Sequence, residues 1–235
     1  MENVNKMQNK YIVIGDIHGR STWLGCEKYI QEGYVLVFLG DYFDTHEVYS
    51  TGVIRDNFLA ILELKQSYPD NVILLTGNHD FSYLNENGIC SGHKIATQAF
   101  VNGHKGIIKD NLKVIHIDGN FIFSHAGVSP IYLTEQNLTL DDLCEMKCDD
   151  NKLAFVNKDI HTNIYSDNWY QSPIWIRPQS LIDSTETFQY KQVVGHTPCV
   201  NNKTFSHDDR IFFNDRLNFN QVLKVENDSV ELLNL

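Results

Sequence analysis

Residues 10–19 read KYIVIGDIHG, a short apolar run that ends in a glycine and is followed at once by an aspartate and a histidine. An apolar run of this length, bounded by a turn residue, is typical of a buried strand. The arrangement recurs in residues 34–41 (YVLVFLGD) and in residues 72–80 (VILLTGNHD). The first third of the sequence therefore places side chains suited to metal binding or acid–base chemistry directly after three predicted strands.

Helical segments are predicted between these strands. Ser21 is placed to cap a helix that runs towards Gly33, and residues 53–67 carry apolar side chains near helical spacing. Pro69 ends the second helix. The resulting β-α-β-α-β order predicts a parallel sheet that is covered by helices.

The second half of the chain predicts further short strands. Residues 113–118 and 120–124 form a hairpin pattern with a tight turn between them. Later strand candidates close the domain: residues 192–195, 211–214, 221–225 and 230–233. Residues 138–171 are polar with mixed helical and loop character, and we interpret them as an insertion or cap. The length of 235 residues favours a single domain over residues 1–235.

Composition excludes several classes of partner. The chain has 42% hydrophobic and 21% charged residues and a net charge of −11, which argues against broad nucleic-acid binding and against an anionic membrane as partner. No apolar run approaches the length of a transmembrane helix. Five cysteines without a compact framework, and no apolar leader-like run, predict a reduced, cytoplasmic protein.

The polar loops after the strands form a predicted site for two divalent ions, because such loops converge at the carboxyl ends of parallel strands. Asp16 and His18 share one loop and could reach one ion together. Asp41 is the expected bridge, since a carboxylate has two oxygens. The side chains that would complete the second ion follow later strands: Asn78, His125 and His196. This donor set favours Mn²⁺, Fe or Zn²⁺, and two such ions activate water and clamp phosphate oxygens.

Five motifs in order carry a family resemblance: Asp-x-His from residue 16, Gly-Asp-x-x-Asp at 40–44, Gly-Asn-His-Asp at 77–80, the segment around His125, and Gly-His-Thr at 195–197. Each motif alone is weak, but together they resemble the calcineurin-like metallophosphoesterases. The nearest branch holds the Ser/Thr protein phosphatases and bacterial or phage diadenosine tetraphosphatases. The resemblance implies an α/β (α+β) fold, a four-layer αββα sandwich of two mixed sheets with the dimetal site at the carboxyl ends of the strands.

The resemblance also implies residue roles. The six predicted metal ligands match the ligand positions of the family. His79 matches the general acid that assists the leaving group, and Asp44 matches the carboxylate that orients this histidine. Such a division is physically reasonable, because a histidine held by a carboxylate can stay protonated near neutral pH.

Substrate recognition is less well determined by sequence. Ser/Thr protein phosphatases continue the second motif as Asp-Arg-Gly, whereas Asp44 is followed here by threonine and His46. Residues 175–178 (WIRP) resemble a Trp-x-Arg element of the bacterial and phage relatives, so Arg177 is the candidate phosphate clamp, against the alternative of a surface salt bridge. Arg20, Arg55 and His46 are further candidates for substrate binding.

The predicted function is metal-dependent hydrolysis of phosphomonoesters, with small-molecule esters or phosphoproteins as substrates. A nucleotidase that cleaves dinucleoside polyphosphates or cyclic phosphodiesters is the alternative within the same chemistry. A non-catalytic metal-binding scaffold is the alternative from another class. It would be favoured by lost ligands or a lost general acid, and the sequence has lost neither.

Overall fold

The computed structural model describes residues 7–45, 47–88, 90–157, 167–199 and 206–235. The first of its two sheets has six strands: β1 (Tyr11–Ile14), β2 (Val35–Phe38), β3 (Val72–Leu75), β4 (Leu112–Lys113), β10 (Gln221–Glu226) and β11 (Ser229–Asn234). Their order is β11-β10-β1-β2-β3-β4. Strands β1 to β4 run parallel, and β10 pairs antiparallel with β1 and with β11.

The second sheet has five strands: β5 (Ile115–Asp118), β6 (Phe121–Ser124), β7 (Lys191–Val194), β8 (Ser206–His207) and β9 (Ile211–Phe213). Their order is β5-β6-β7-β9-β8. Strands β6, β7 and β9 are parallel, whereas the edge strands β5 and β8 are antiparallel to their neighbours. Both sheets are therefore mixed, with parallel strands at their centres.

Seven helices accompany the described strands: α1 (Lys28–Gln31), α2 (Thr51–Ser67), α3 (Asn78–Leu84), α4 (Ile95–Asn111), α5 (Pro130–Gln136), α6 (Leu140–Glu145) and α7 (Pro178–Ser184). Short 3₁₀ helices span Thr22–Cys26, Asn151–Leu153 and Leu217–Phe219. Among the described residues, no helix combines the length and the apolar character needed to cross a membrane.

The layers are held together by separate apolar cores. One core lies between the two sheets, where Val13, Val37 and Leu223 of the first sheet pack with Phe123 and Val193 of the second. The largest core lies between the first sheet and its helices α2 and α4, and another lies between the second sheet and the helices after β6. The arrangement is a layered sandwich of two mixed sheets with flanking helices, which confirms the predicted fold.

Two local predictions were wrong, and one helix was missed. The strand predicted at residues 113–118 is divided, because β4 pairs with β3 in the first sheet while β5 pairs with β6 in the second. The helix predicted after Ser21 is a 3₁₀ turn followed by the single turn α1, and the Ser21 side chain makes no capping hydrogen bond. Helix α4 was not predicted at all.

The segment at residues 138–171 contributes α6 and a 3₁₀ turn to the helical layer over the second sheet. Leu143 and Leu153 are buried there with Ile115 and Ile122. Residues 158–166 of this segment lie outside the described residues.

Candidate active site

The chemically important side chains all follow the carboxyl ends of strands from the two sheets. Three of the residues that hold these positions have left-handed backbone conformations: φ is +46° at His18, +58° at Asp41 and +65° at His196. Residues other than glycine adopt this backbone conformation infrequently, and when they do, they are often found at functional sites. The loops after β1, β2 and β7 therefore hold these three residues in a turn conformation that directs their side chains towards one another.

Asp41 lies between two histidines. Its Oδ2 is 3.6 Å from His18 Nε2 and 3.4 Å from His125 Nε2. Asp16 Oδ2 is also 4.0 Å from His18 Nε2. Ligand atoms of Asp16, Asp41 and His125 lie within 4.8 Å of one another, and all three residues are buried. One carboxylate oxygen between two imidazoles is the geometry expected of a ligand that bridges two ions.

A second group of atoms surrounds His125 Nε2. The Nδ1–H of this ring donates to the backbone oxygen of Leu39 at 2.9 Å, so Nε2 carries the lone pair in the neutral ring. Asn78 Oδ1 lies 3.0 Å and His196 Nδ1 3.2 Å from this Nε2. Several atoms with lone pairs thus converge in a buried place that has few hydrogen-bond donors. A bound cation would stabilise this arrangement. The residues present fit a pair of divalent metal ions.

The ionisation states favour metal binding. Burial lowers the pKa of His18 to about 4, and burial also lowers the pKa of His125 and of His196. These imidazoles are therefore neutral at physiological pH, as metal ligands must be. Burial acts to raise the pKa of Asp41, but the positive charge that the surrounding histidines carry in acid, His125 foremost, outweighs burial and lowers it.

His79 is held by Asp44 beside this cluster. His79 Nδ1 lies 3.2 Å from Asp44 Oδ2, and the backbone N–H of His79 donates to Asp41 Oδ1 at 3.0 Å. Burial alone would lower the pKa of His79. The carboxylates of Asp41 and Asp44 outweigh burial and raise the pKa of His79 to about 9. The structure therefore brings together a protonated imidazole and the predicted metal ligands.

A cavity of about 270 Å³ opens onto this centre. Arg177 lines the cavity, and its Nη1 donates to the backbone oxygen of His196 and to Thr197 Oγ1, both at 3.1 Å. These two bonds fix the guanidinium beside the predicted metal ligands. Trp175 and Asp215 also line the cavity.

Arg20 and Arg55 do not line this cavity, although Arg20 lies beside the predicted metal ligands, where its Nη1 donates to the backbone oxygen of Asp16 at 3.2 Å. Arg20 makes a double contact with Glu47, with Nη2 at 2.6 Å and Nε at 2.7 Å from Glu47 Oε1, and it is not among the residues that line the cavity. Arg55 is half exposed and pairs with its neighbour Asp56 at 2.8 Å. His46 lies outside the described residues.

Sequence reasoning gave no role to several residues that the structure brings to the site. Asp80 is fully buried and binds backbone N–H groups of two ligand loops. Tyr83 donates to Asp44, and Cys90 contacts the Asn78 side chain. Asp80 and Tyr83 follow His79 on one short helix, so their helical spacing was the available signal. Asp215 directly follows the strand predicted at residues 211–214, which was its available signal, whereas Cys90 carried no local pattern.

The chain belongs to the calcineurin-like phosphoesterase family, whose family model matches residues 10–225. The match includes every residue of the candidate site described above. Membership confirms the resemblance on which the residue roles were predicted, and it makes the chain a metal-dependent phosphoester hydrolase of a family that uses two metal ions.

Solved structures share this fold at low sequence identity. A cold-active protein-tyrosine phosphatase from a psychrophilic Shewanella species superposes with a TM-score of 0.66 at 19% identity, covering 99% of this chain and 82% of that chain. A protein serine/threonine phosphatase from Saccharomyces cerevisiae superposes with a TM-score of 0.59 at 15% identity, covering 97% of this chain and 80% of that chain. At such identities, the similarity establishes the fold.

Proposed function

We propose that this protein is a two-metal phosphatase that hydrolyses phosphomonoesters, either small-molecule esters or phosphoproteins. The observation that carries the proposal is the position of Asp41 Oδ2 between His18 Nε2 and His125 Nε2, at 3.6 Å and 3.4 Å. The remaining proposed ligands are Asp16, Asn78 and His196. The buried carboxylates and neutral imidazoles of this set support two divalent ions.

Mn²⁺ is the proposed metal, with Fe and Zn²⁺ as alternatives. The donors are carboxylate, imidazole and amide oxygen, and no thiolate is included in the set. Bound ions of this kind lower the pKa of a coordinated water and neutralise charge on the phosphate. The reaction also needs a group that binds the phosphate and an acid that protonates the leaving group. We assign both roles to side chains around the cavity.

Arg177 is the proposed phosphate clamp, and His79 the proposed general acid. The guanidinium lines the cavity and can offer its remaining N–H groups to phosphate oxygens. Water adds to phosphorus as the ester P–O bond breaks, and His79 transfers its proton to the departing oxygen. The proton released by the water replaces the one that His79 gave, so the products are an alcohol and inorganic phosphate.

The experiment that tests this function compares p-nitrophenyl phosphate with bis-p-nitrophenyl phosphate. Protein stripped with EDTA is reconstituted with Mn²⁺, and wild type is compared with Asp41→Asn. We expect metal-dependent hydrolysis that prefers the monoester and falls at least about 10²-fold in Asp41→Asn. Asp56→Asn, which changes an exposed aspartate of α2, is the matched control and should retain wild-type activity.

Inactivity of the metal-loaded wild type on aryl monoesters and on phosphopeptides would contradict the proposed function. His79→Ala separates an enzyme from a metal-binding scaffold. In an enzyme, this change lowers turnover of a monoester with a poor leaving group, such as benzyl phosphate, about 10²-fold or more while both ions stay bound. In a scaffold, it changes nothing measurable.

A nucleotidase is the second candidate, supported by an aromatic cavity beside the catalytic one. This cavity has a volume of about 390 Å³ and is lined by Phe81, Phe155 and Trp175, and Trp175 lines the catalytic cavity as well. A nucleobase could stack there while its phosphate lies at the metal centre. Chromatography of the products from diadenosine tetraphosphate tests this candidate, since the phosphomonoesterase leaves that substrate intact.

The thiols support a reducing compartment, which we take to be the cytoplasm. All five cysteines are free in the structure. Thiol titration of the purified protein without reductant should count five per chain, and any disulfide found would argue against this compartment.

A further inference from the structure

Two aromatic side chains from one turn of α3 hold the two oxygens of one carboxylate. His79 and Tyr83 are four residues apart and therefore lie on the same face of the helix. His79 Nδ1 is 3.2 Å from Asp44 Oδ2, and Tyr83 Oη is 2.5 Å from Asp44 Oδ1. Asp44 is 1% exposed and Tyr83 is 3% exposed, so water does not compete for these bonds.

The direction of the Tyr83 bond is fixed by a third group. The backbone N–H of Lys94 donates to the Tyr83 hydroxyl oxygen at 2.8 Å. The hydroxyl hydrogen is thereby left to point at Asp44 Oδ1, which can only accept. Burial raises the pKa of Tyr83 above its ordinary range, so the phenol keeps this hydrogen at all physiological pH values.

The ring of Tyr83 is itself held in place. His93 stacks on it with ring centroids 4.2 Å apart and an interplanar angle of 18°. Phe43 contacts it edge-on at 6.0 Å. A ring clamped on its face and its edge, with its hydroxyl bonded on two sides, gives Asp44 a fixed donor.

We propose that Tyr83 is a positioning residue for the leaving-group acid: its hydroxyl fixes the rotation of the Asp44 carboxylate, and Asp44 in turn fixes the ring of His79. This inference rests on the proposed function, in which His79 protonates the departing oxygen. Without the Tyr83 hydroxyl, Asp44 can rotate about its side-chain bonds, and the His79 ring loses its fixed direction towards the substrate.

Leaving-group dependence gives the decisive readout, because a general acid matters for poor leaving groups and little for good ones. Tyr83→Phe is assayed with 2,4-dinitrophenyl, p-nitrophenyl, phenyl and benzyl phosphates in the Mn²⁺-loaded protein. We expect kcat to fall about tenfold for benzyl phosphate and to stay within about twofold for 2,4-dinitrophenyl phosphate, with KM unchanged.

Two further variants separate positioning from folding. Tyr132→Phe removes another fully buried hydroxyl, which donates to the backbone oxygen of Lys152 on the helical side of the second sheet. This matched control should show no dependence on the leaving group. In a His79→Ala background, Tyr83→Phe should cost no further activity, because Tyr83 acts through His79.

The outcomes are distinguishable from failure of the proposed function. An inactive wild type, or a His79→Ala variant with equal losses on all four esters, overturns the acid role itself and the inference with it. If His79→Ala shows the leaving-group effect but Tyr83→Phe lowers all four rates equally, only the positioning role is overturned. The positioning role is also overturned if Tyr83→Phe lowers activity further in the His79→Ala background.

Discussion

The carboxylate of Asp80 binds the backbone of Asp41 and so ties together the loops that follow β2 and β3. Asp80 Oδ2 accepts the N–H of Asp41 and the N–H of Gly77, each at 2.8 Å. Asp80 Oδ1 accepts the N–H of Tyr42 at the same distance. Asp41 has a left-handed backbone, and these bonds are what hold its peptide in that conformation. The predicted bridging ligand is therefore positioned by a residue that does not face the cavity.

Asp80→Asn should destabilise the fold and weaken metal binding together. The amide keeps the shape of the carboxylate but turns one acceptor into a donor, which leaves buried N–H groups unsatisfied. We expect a loss of about 2–4 kcal/mol in the free energy of unfolding and a weaker affinity for Mn²⁺. Urea unfolding of EDTA-treated protein measures the first, and Mn²⁺ titration by calorimetry measures the second.

Asp56→Asn is the matched control for this charge change, since Asp56 is exposed and pairs only with Arg55 in the described contacts. A change within about 0.5 kcal/mol is expected there. An Asp80→Asn protein as stable as this control would show that the three backbone bonds contribute little.

The positions of the predicted metal ligands could be read from the sequence because each follows a short apolar strand. Strand ends in parallel sheets are a strong geometric constraint, so Asp16, Asp41 and Asn78 were predictable without any contact information. The residues behind them were not. Tyr83 shares a helix face with His79 through its i, i+4 spacing, but nothing in the sequence connects it to Asp44, and Cys90 reaches Asn78 only through the packing of the segment after α3.

The fold was less predictable where tertiary contacts outweigh local preference. Helix α4 contains Gly103 and Gly106, which disfavour a helix, and its N-cap makes no side-chain bond. The helix is stabilised instead by its buried residues Val101 and Ile108, which pack on the first sheet. Between β4 and β5 the chain passes from one sheet to the other within a continuous apolar pattern, so sequence periodicity alone could not locate the break.

Arg177→Ala should lower kcat/KM for aryl phosphomonoesters by about 10²-fold. The guanidinium is held by the backbone oxygen of His196 and by Thr197 Oγ1, so it meets the phosphate without losing much side-chain entropy. Arg177→Lys should recover only part of the loss, because an ammonium lacks the planar pair of N–H donors with which a guanidinium binds two phosphate oxygens side by side. Steady-state kinetics on p-nitrophenyl phosphate measure both.

Arg210→Ala is the matched control for loss of a guanidinium. Arg210 donates to the backbone oxygens of Thr185 and Glu186 and does not line the catalytic cavity. The Arg210→Ala variant should therefore keep the wild-type kcat/KM. Equal losses in the two variants would indicate that Arg177 acts through stability instead of phosphate binding.

His116 should make stability depend on pH away from the metal centre. Its Nε2 lies 3.1 Å from the hydroxyl oxygen of Tyr11, whose own hydrogen bonds Asp118 Oδ2 at 2.7 Å. Burial, followed by the charge of Lys113, lowers the pKa of His116 from 6.5 to about 4. Between these two pH values the unfolded chain holds a proton that the folded chain does not, so acid favours unfolding. The stabilisation is complete above pH 6.5 and is lost as pH falls towards 4.

Between pH 7 and pH 4, wild type should lose more of its free energy of unfolding than His116→Gln does, by at most about 3 kcal/mol. Urea midpoints of EDTA-treated wild type and variant, measured across that range, give the difference directly and cancel the histidines of the metal centre. His104→Gln, at an exposed position on α4, controls for the loss of one histidine. Parallel curves for wild type and His116→Gln would contradict the prediction.

Gly195→Ala should impair metal binding while the fold remains intact. A Cβ at this position would lie 2.2 Å from Asp16 Oδ1, whereas the nearest backbone atom, the oxygen of His125, is 3.5 Å away. The clash is therefore relieved by moving the Asp16 carboxylate from its present position, where both of its oxygens accept the N–H of His196. This movement removes a proposed ligand from one of the two ions. We expect one Mn²⁺ per chain instead of two by elemental analysis, with the free energy of unfolding of metal-free protein lowered by about 1–3 kcal/mol, the cost of one buried hydrogen bond. Gly103→Ala, where an added Cβ meets nothing within 4 Å, should bind two ions and gain up to about 1 kcal/mol from better helix propensity. Two tightly bound ions in Gly195→Ala would mean that Asp16 does not ligate the metal in its present rotamer.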